Sequence, residues 1–431
     1  MEEQRPMRIA IAGLGTVGTG VIRLLDANRE LITRRARRPI EVCAISARDR
    51  HKDRGVDISR FDWVDDMMEL VRRDDVDAVV ELIGGSDGPA LALARAALNA
   101  GKPLVTANKA MLAHHGLDLA QLAEKAGIPL KYEAAVAGGI PVIKGLREGA
   151  AANEISRVYG ILNGTCNYIL TTMEEAGRDF DEVLREAQDL GFAEADPTFD
   201  IDGIDAAHKL SILSSLAFGT EIDFDAVDIT GIRGVQAFDI REAAALGYRI
   251  RLVGVAENRE NGLFQRIQPM LVPQQHPLAH VVGSLNAIAA EGNFVGSLFF
   301  QGAGAGEGPT ASAVVADLID VARDEYGDPF AMQVAHLVRN PKADTGAHVG
   351  RTYLRFIVRD RPGVLAEIAA AMRDANVSIE SVIQRGASVD GSVLLVVVTH
   401  DSEERAITAT LERLKDSDSL LARPMVMHIL D

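Results

Sequence analysis

The stretch DIDGIDAAHKLSIL, residues 200–213, sets three aspartates and a lysine ahead of a run that carries no charge. From Leu210 to Thr220 every residue is apolar, glycine, serine or threonine. A helix through this stretch is expected to start near Asp202, whose carboxylate is a cap for the free N–H groups of a first turn. Asp205 and Lys209 are four apart and share a face. Ile212 and Leu216 continue that face, so Lys209 does not read as a water-facing residue. Spacing alone describes an ion pair on a surface helix; the uncharged run that follows marks Lys209 as a functional amine. Burial lowers an amine's pKa and a neighbouring carboxylate raises it, and the sequence leaves the net direction open.

A second chemistry stands near the start. In MRIAIAGLGTVGTGVIRLLDA (7–27) an apolar strand, Arg8 to Ala12, runs into Gly13, Gly15 and Gly18, spaced G-x-G-x-x-G, and then into an apolar helix. The first glycine permits a tight turn, the second lets a pyrophosphate approach the backbone, and the third lets helix and strand pack closely. Phosphates at a helix N-terminus meet free N–H groups, which adds Thr16 and Val17 to the cofactor-binding candidates. Strand before and helix after is the context that separates a dinucleotide site from a chance match. The second strand ends in Ser46, Ala47 and Arg48 rather than in an acid, and an arginine there suits a 2′-phosphate. NADP is expected, with Asp49 keeping NAD open. Thr106, Asn108 and Lys109 in TANKAML (106–112) follow the fourth strand, where ligands of such sheets bind.

The elements that must position these groups alternate. Strands are expected at IEVCAIS (40–46), DAVVELI (77–83), PLVTA (103–107) and PLKYEAAV (129–136), with helices between them such as ALALARAALNAG (90–101). That alternation predicts a doubly wound parallel sheet of Rossmann type. At 431 residues the chain should hold two or three domains, each with a core. A hydrophobic share of 47% and a charged share of 25% are those of an ordinary soluble protein. A net charge of −17 argues against a nucleic-acid or anionic-membrane partner. Two cysteines, Cys43 in an expected buried strand and Cys166, make no disulfide framework and suit a reducing compartment. MEEQRPM has no signal-peptide pattern, and no apolar run approaches the ~20 residues of a membrane span. A cytoplasmic location is expected. The TRRARRP cluster (33–39) reads as a solvated cationic helix end before Pro39.

GLGTVGTG, TANKAML, YEAAVAGGIPVI (132–143), GILNGTCNYILTTM (160–173), GFAEADPTFDIDGIDAAHKL (191–210) and GAGAGEGPTASAV (302–314) together resemble homoserine dehydrogenase, in order and spacing, over roughly residues 7 to 340. The resemblance implies NAD(P)H-dependent reduction of L-aspartate 4-semialdehyde to L-homoserine, in threonine, methionine and isoleucine biosynthesis. It implies Lys209 as proton donor, Asp205 and Glu194 as holders of the substrate's ammonium, Asp200 behind them and Thr165 near the substrate. Gly191 and Gly306 would approach the cofactor. It further implies a sodium site in which Glu133 and the carbonyls of Val136, Gly138 and Ile140 supply oxygens, as hard cations require. His114 and His115, being adjacent, share no face for a metal and are expected on a loop.

The expected organisation is a dinucleotide-binding domain over 1–150 and an α+β substrate-binding and dimerising domain over 151–301, with strands at 155–162, 249–257 and 263–272. A capped helix within 302–340 returns to the nucleotide sheet. A polar linker over 341–350 leads to a tail at 351–431 that reads strand, helix, strand, strand, helix, strand, a ferredoxin-like βαββαβ unit. With DRPGVLAEIA at its first junction the tail resembles an ACT domain, implying an amino-acid pocket around Asp360, Gly363 and Asn376, with L-threonine as effector. A homodimer or homotetramer is expected. Two other readings stand beside this one: a dehydrogenase of another small amino or hydroxy acid, since Rossmann glycines are blind to the chemistry, and a non-catalytic NAD(P)-sensing regulator. The second needs a DNA-binding element that the sequence does not display.

Overall fold

The structure, a computed structural model, describes residues 5–387 and 392–430; the first four residues of the MEEQRPM segment lie outside it. Six parallel strands form the first sheet: β1 Met7–Ala12, β2 Ile40–Ser46, β3 Asp62–Trp63, β4 Ala78–Glu81, β5 Leu104–Thr106 and β6 Leu130–Lys131. Their spatial order is 3-2-1-4-5-6, the dinucleotide-binding order with its switch point beside β1. Side chains alternate across β1. Ile9 and Ile11 enter a core with helices Thr16–Ala27 and Glu307–Ala322, while Ala10 and Ala12 enter the core that holds Pro89–Asn99 and Lys109–Ala126. The expected return of the 302–340 segment to the nucleotide sheet is the Glu307–Ala322 helix.

The expected strand over 129–136 is shorter. After Lys131 the chain turns into a 3-10 helix, Glu133–Ala135. The Glu133 N–H donates to Asp317 Oδ2 at 2.8 Å and its carboxylate accepts the N–H groups of Ile143 (3.0 Å) and Lys144 (2.9 Å), bonds that take the backbone out of the ladder. Cys43, expected in the core, is half-buried, and Cys166 is buried; both are free thiols.

The second sheet is built from β7 Ile155–Ile161, β8 Tyr248–Arg259, β9 Gly262–Pro273, β10 Leu285–Gly292 and β11 Gly296–Ala303, continued by four tail strands, β12 Thr352–Arg359, β13 Ile379–Ala387, β14 Ser392–Thr399 and β15 Met425–Ile429. The order is β11-β10-β7-β8-β9-β15-β12-β14-β13. Within the tail the order 4-1-3-2 is that of the ferredoxin-like unit, with helices Val364–Asp374 and Glu404–Leu414 on one face.

The tail unit and the polar linker before it are both joined to the second domain. β15 pairs in parallel with β9, Met270 with His428 and Leu271 with Ile429, so one sheet runs through both domains. Tyr353, Val396, Val398, Met427 and Ile429 share a hydrophobic core with Ile250, Leu252 and Leu271. The 341–350 segment is also fastened: the Leu263 N–H donates to the Pro341 carbonyl at 2.9 Å and the Ala343 N–H to the Leu263 carbonyl at 3.1 Å. Cutting the chain near Gly350 is therefore expected to lower the melting temperature sharply and to remove turnover with it, since it strips β15 from β9 and bares apolar core. A truncated chain with full activity and an unchanged melting curve would contradict this.

Helix Ile204–Phe218 lies on the β7–β9 surface with every residue from Asp205 to Leu216 buried. Among the described residues no helix is long and apolar enough to cross a membrane.

Candidate active site

The glycine loop has the expected shape. Gly13 has φ +101°, and a Cβ there would stand 2.4 Å from the Leu82 carbonyl oxygen. A Cβ at Gly18 would stand 2.2 Å from the Gly13 oxygen, whereas nothing lies within 4 Å of one at Gly15. Two glycines close the turn and the third leaves a cradle open. Helix Thr16–Ala27 begins at Gly15 with no side-chain cap and no acid in its first turn, leaving its N–H groups for an anion. This cradle fits a dinucleotide pyrophosphate. Gly306, φ +112°, starts the Glu307–Ala322 helix, and Glu307 pairs with Arg23 of the loop's own helix.

Arg48 is exposed just past β2 and has no hydrogen-bond or ion-pair partner among the described residues. The sequence reading missed Arg54, whose Nε donates to the Leu14 carbonyl at 3.2 Å and whose guanidinium lies 5.8 Å from the Trp63 ring centre. It fastens the loop after β2 to the glycine loop. Thr106, expected to meet the cofactor, is buried with its hydroxyl committed: it donates to Glu81 Oε2 at 2.6 Å and accepts the Asn108 N–H at 3.0 Å. Its side chain braces the strand ends. Asn108 caps helix Lys109–Ala126 through the Met111 N–H.

The same helix start turns Lys109 to the catalytic helix. Its ammonium stands 2.8 Å from Asp205 Oδ1. Lys209 Nζ donates to Asp205 Oδ2 and to the Leu162 carbonyl, each at 2.7 Å. One carboxylate thus bridges two ammonium groups, Lys209 nearly closed off at 7% exposure and Lys109 with a third of its side chain exposed. Burial, ahead of the opposing pull of Asp205, holds the Lys209 amine below the ordinary lysine range. Asp205 raises Lys109 instead. The two lysines flanking Asp205 hold its own pKa far down against burial. Burial and the Asp205 charge raise Asp200.

Asn163, unassigned by the sequence reading, joins the acids: its Nδ2 donates to Asp200 Oδ1 at 2.7 Å and to Asp205 Oδ2 at 2.8 Å, while its Oδ1 caps the next helix through the Cys166 N–H. Asn286 Nδ2 donates to the same Leu162 carbonyl that Lys209 uses, at 2.8 Å. Asp202 does not cap the 204–218 helix. Gly203, φ +88°, occupies that position, and Asp202 pairs with Arg233 at 2.5 Å. Asp205 already meets three donors, Lys109, Lys209 and Asn163, leaving about one of its four lone-pair positions. Glu194 is exposed on the loop after Gly191 and its charge raises Lys109. That loop is held by Thr165, whose hydroxyl donates to the Phe192 carbonyl at 2.9 Å. His114 and His115 lie within the 109–126 helix, not on a loop. His115 faces Asp87 Oδ1 at 2.8 Å, and His114 packs edge-on to His208, 5.2 Å between ring centres.

At the expected cation site Glu133 is buried, and burial, reinforced by Asp317, pushes it up to about 7. Asp317 is pushed up to about 6 by its burial, and its Oδ1, sealed from solvent without a hydrogen bond among the described residues, stands 3.7 Å from the Lys144 ammonium. A tight turn follows at Ala137 (φ +57°) and Gly138 (φ +51°). Two buried carboxyls held this high beside such a turn fit a hard cation. No cluster of three or more histidine, cysteine, aspartate or glutamate side chains able to hold a metal occurs among the described residues.

In the tail, Asp360 and Gly363 precede helix Val364–Asp374 on an exposed loop, and Asn376 follows the helix with φ +59°. The helix has 11 residues. At that length it spans about 16 Å, so within one chain Asn376 does not share a pocket with the other two.

Three family models match the chain: "Homoserine dehydrogenase, NAD binding domain" over residues 13–133, "Homoserine dehydrogenase" over 141–319 and "ACT domain" over 352–416. A homoserine dehydrogenase of Neisseria gonorrhoeae is 45% identical over 430 residues, 98% of each chain. A crystal structure of a homoserine dehydrogenase from Thiobacillus denitrificans superposes with TM-score 0.94 at 41% identity, covering 100% of both chains. A hyperthermophilic archaeal homoserine dehydrogenase in complex with NADPH superposes with TM-score 0.64 at 27% identity, covering 75% of this chain and 99% of that one.

Proposed function

The chain belongs to the homoserine dehydrogenase family, and we propose that it reduces L-aspartate 4-semialdehyde to L-homoserine with NADPH, using Lys209 as the acid. The observation that carries this is the Lys209–Asp205–Lys109 bridge at the foot of the dinucleotide cradle's partner domain. When bound, the dinucleotide supplies the hydride. Lys209 gives a proton from Nζ to the carbonyl oxygen as the alcohol forms. An amine lowered by burial yields it more readily than a free lysine does. Asp205 keeps that amine charged until then. Glu194 and Asp200 receive the substrate's ammonium, with the remaining lone pair of Asp205. Thr165 acts by holding the Glu194 loop. Lys109 is assigned to the substrate side rather than to the phosphates, because Asp205 holds it there. Succinic semialdehyde, which lacks the ammonium, should be turned over with kcat/KM lower by about 10²-fold or more, since unpaired acids would remain in the site. Equal turnover of both aldehydes would sink the carboxylate assignments and favour another small-acid dehydrogenase.

NADP preference rests on Arg48, free to meet a 2′-phosphate; Gly191 and Gly306 are assigned to the cofactor's edge. Arg48→Asp should raise the Kd for NADPH about tenfold or more and change NADH little, because it sets a repelling charge against the phosphate. Equal losses for both cofactors would remove the assignment. A sodium ion at Glu133 and the carbonyls of Val136, Gly138 and Ile140 would offset the buried carboxyls and stiffen a turn that packs on Gly304 and Pro309. Self-association is supported by the β10–β11 hairpin, where Phe294 is 91% exposed beside Val295 and Phe299, an apolar group that a partner surface would cover. A cytoplasmic setting is supported by the two free thiols, which a reducing compartment preserves. L-Threonine is assigned to the tail, where two chains would have to combine Asp360 and Gly363 of one copy with Asn376 of another. Asp360→Ala should weaken threonine inhibition in the full chain without changing KM for the aldehyde.

A further inference from the structure

β9 is buried along nearly its whole length, and consecutive residues on it face opposite ways. Ile267 faces the reaction centre. A Cβ built on Gly203, the residue that starts the catalytic helix, would stand 3.0 Å from Ile267 Cγ2. One built on Gly254 across the ladder would meet Ile267 Cδ1 at 2.8 Å, Leu162 Cδ1 at 3.0 Å and Leu210 Cδ1 at 3.4 Å. Ile267 is thus wedged beneath the first turn of the helix that carries Asp205 and Lys209, and beside Leu162, whose carbonyl accepts from Lys209.

Arg266, one peptide earlier, faces the tail. Its Nη2 donates to both oxygens of Glu404, at 3.0 and 2.8 Å, while its guanidinium lies over Phe264, 5.0 Å from the ring centre. Glu404 opens the tail helix Glu404–Leu414, and its own N–H donates to the His348 carbonyl at 2.9 Å. His428 Nε2 stands 3.6 Å from Glu404, and its Nδ1 meets Gln268 Oε1 at 3.1 Å. Burial lowers the pKa of His428 and of His348, and Arg266, Arg259 and Arg157 with Glu404 and Glu257 are the charged groups at this junction. Arg266 is 6% exposed, so its pairing is little screened by salt.

We propose that Arg266 is a positioning residue: clamped by the tail's Glu404, it fixes β9 at Ile267, and Ile267 sets the first turn of the catalytic helix. The tail then holds the acid in place even with no effector bound. This rests on the reading of Asp205 and Lys209 as the reacting groups. Misplacement by a fraction of an ångström reaches the rate because proton transfer needs its donor within hydrogen-bond distance.

The test uses the full chain and measures kcat, KM, NADPH affinity and the pH–rate profile for Glu404→Gln, Arg266→Lys, Ile267→Val and Lys209→Ala. Glu404→Gln should lower kcat about five- to tenfold, shift the alkaline limb, and leave NADPH affinity within about twofold. Ile267→Val should do the same from the other face, and combining the two should fall short of the product of the single effects. Arg266→Lys keeps the charge, loses the planar group over Phe264 and should fall between, which decides the matter if Glu404→Gln does not fold. Wild-type kcat and pH profile in Glu404→Gln and Arg266→Lys, whatever their melting temperatures, would reduce the pair to a docking contact. If instead Lys209→Ala kept its turnover, the site reading itself would be wrong.

Discussion

Lys209→Ala is expected to lower kcat by about 10²–10⁴, the range for loss of a placed general acid, with NADPH affinity within about twofold of wild type. The separation follows from geometry. Lys209 bonds Asp205 and the Leu162 carbonyl, while the cradle is built from Gly13, Gly15 and Gly18 on a different sheet. Alanine leaves Asp205 one cationic partner, Lys109. A variant retaining more than a tenth of wild-type kcat would show that the proton comes from elsewhere, with Lys109 the next amine to replace.

Asp205→Asn should be nearly as damaging and more informative in its pH dependence. The carboxylate is the main opponent of the burial that holds Lys209 down, so neutralising it lowers that pKa further. An acid must be protonated to act, so activity is present below the Lys209 pKa and is lost as pH rises through it. The alkaline limb of the kcat profile should therefore move to lower pH. Lys109 loses what raises it at the same time. KM for the aldehyde should rise as well, because Asp205 supplies a place for the ammonium. An unmoved limb would separate Asp205 from the titration of the acid.

The glycine loop was legible because each of its three positions answers to a steric demand within one strand–turn–helix unit. Lys209 was legible because an i,i+4 pair running into an uncharged face has few water-exposed solutions. Asn163 and Asn286 were not, since an asparagine that bridges two carboxylates has the same local signature as one that caps a helix, and Asn163 does both. Asp202 misled for a related reason. It stands where a cap is common, yet the left-handed Gly203 makes the entry and frees Asp202 for Arg233. The docking of the tail depends on a parallel pairing between residues 270 and 428, and on the buried Asp239, Arg355 and Tyr353. Nothing local marks those charges as interior: Tyr353 donates to Asp239 Oδ1 at 3.0 Å across more than a hundred residues. The strand-end position of Lys109 was legible and its contact with Asp205 was not, because only the packing of its helix on the catalytic helix turns its amine there.

Turnover of L-aspartate 4-semialdehyde by the full chain, followed together as NADPH loss and L-homoserine formed, tests the central claim most directly. The account predicts one L-homoserine for each NADPH consumed, with the rate falling as pH rises through the Lys209 titration. NADPH binding without consumption in the presence of the aldehyde, or consumption yielding another product, would contradict it.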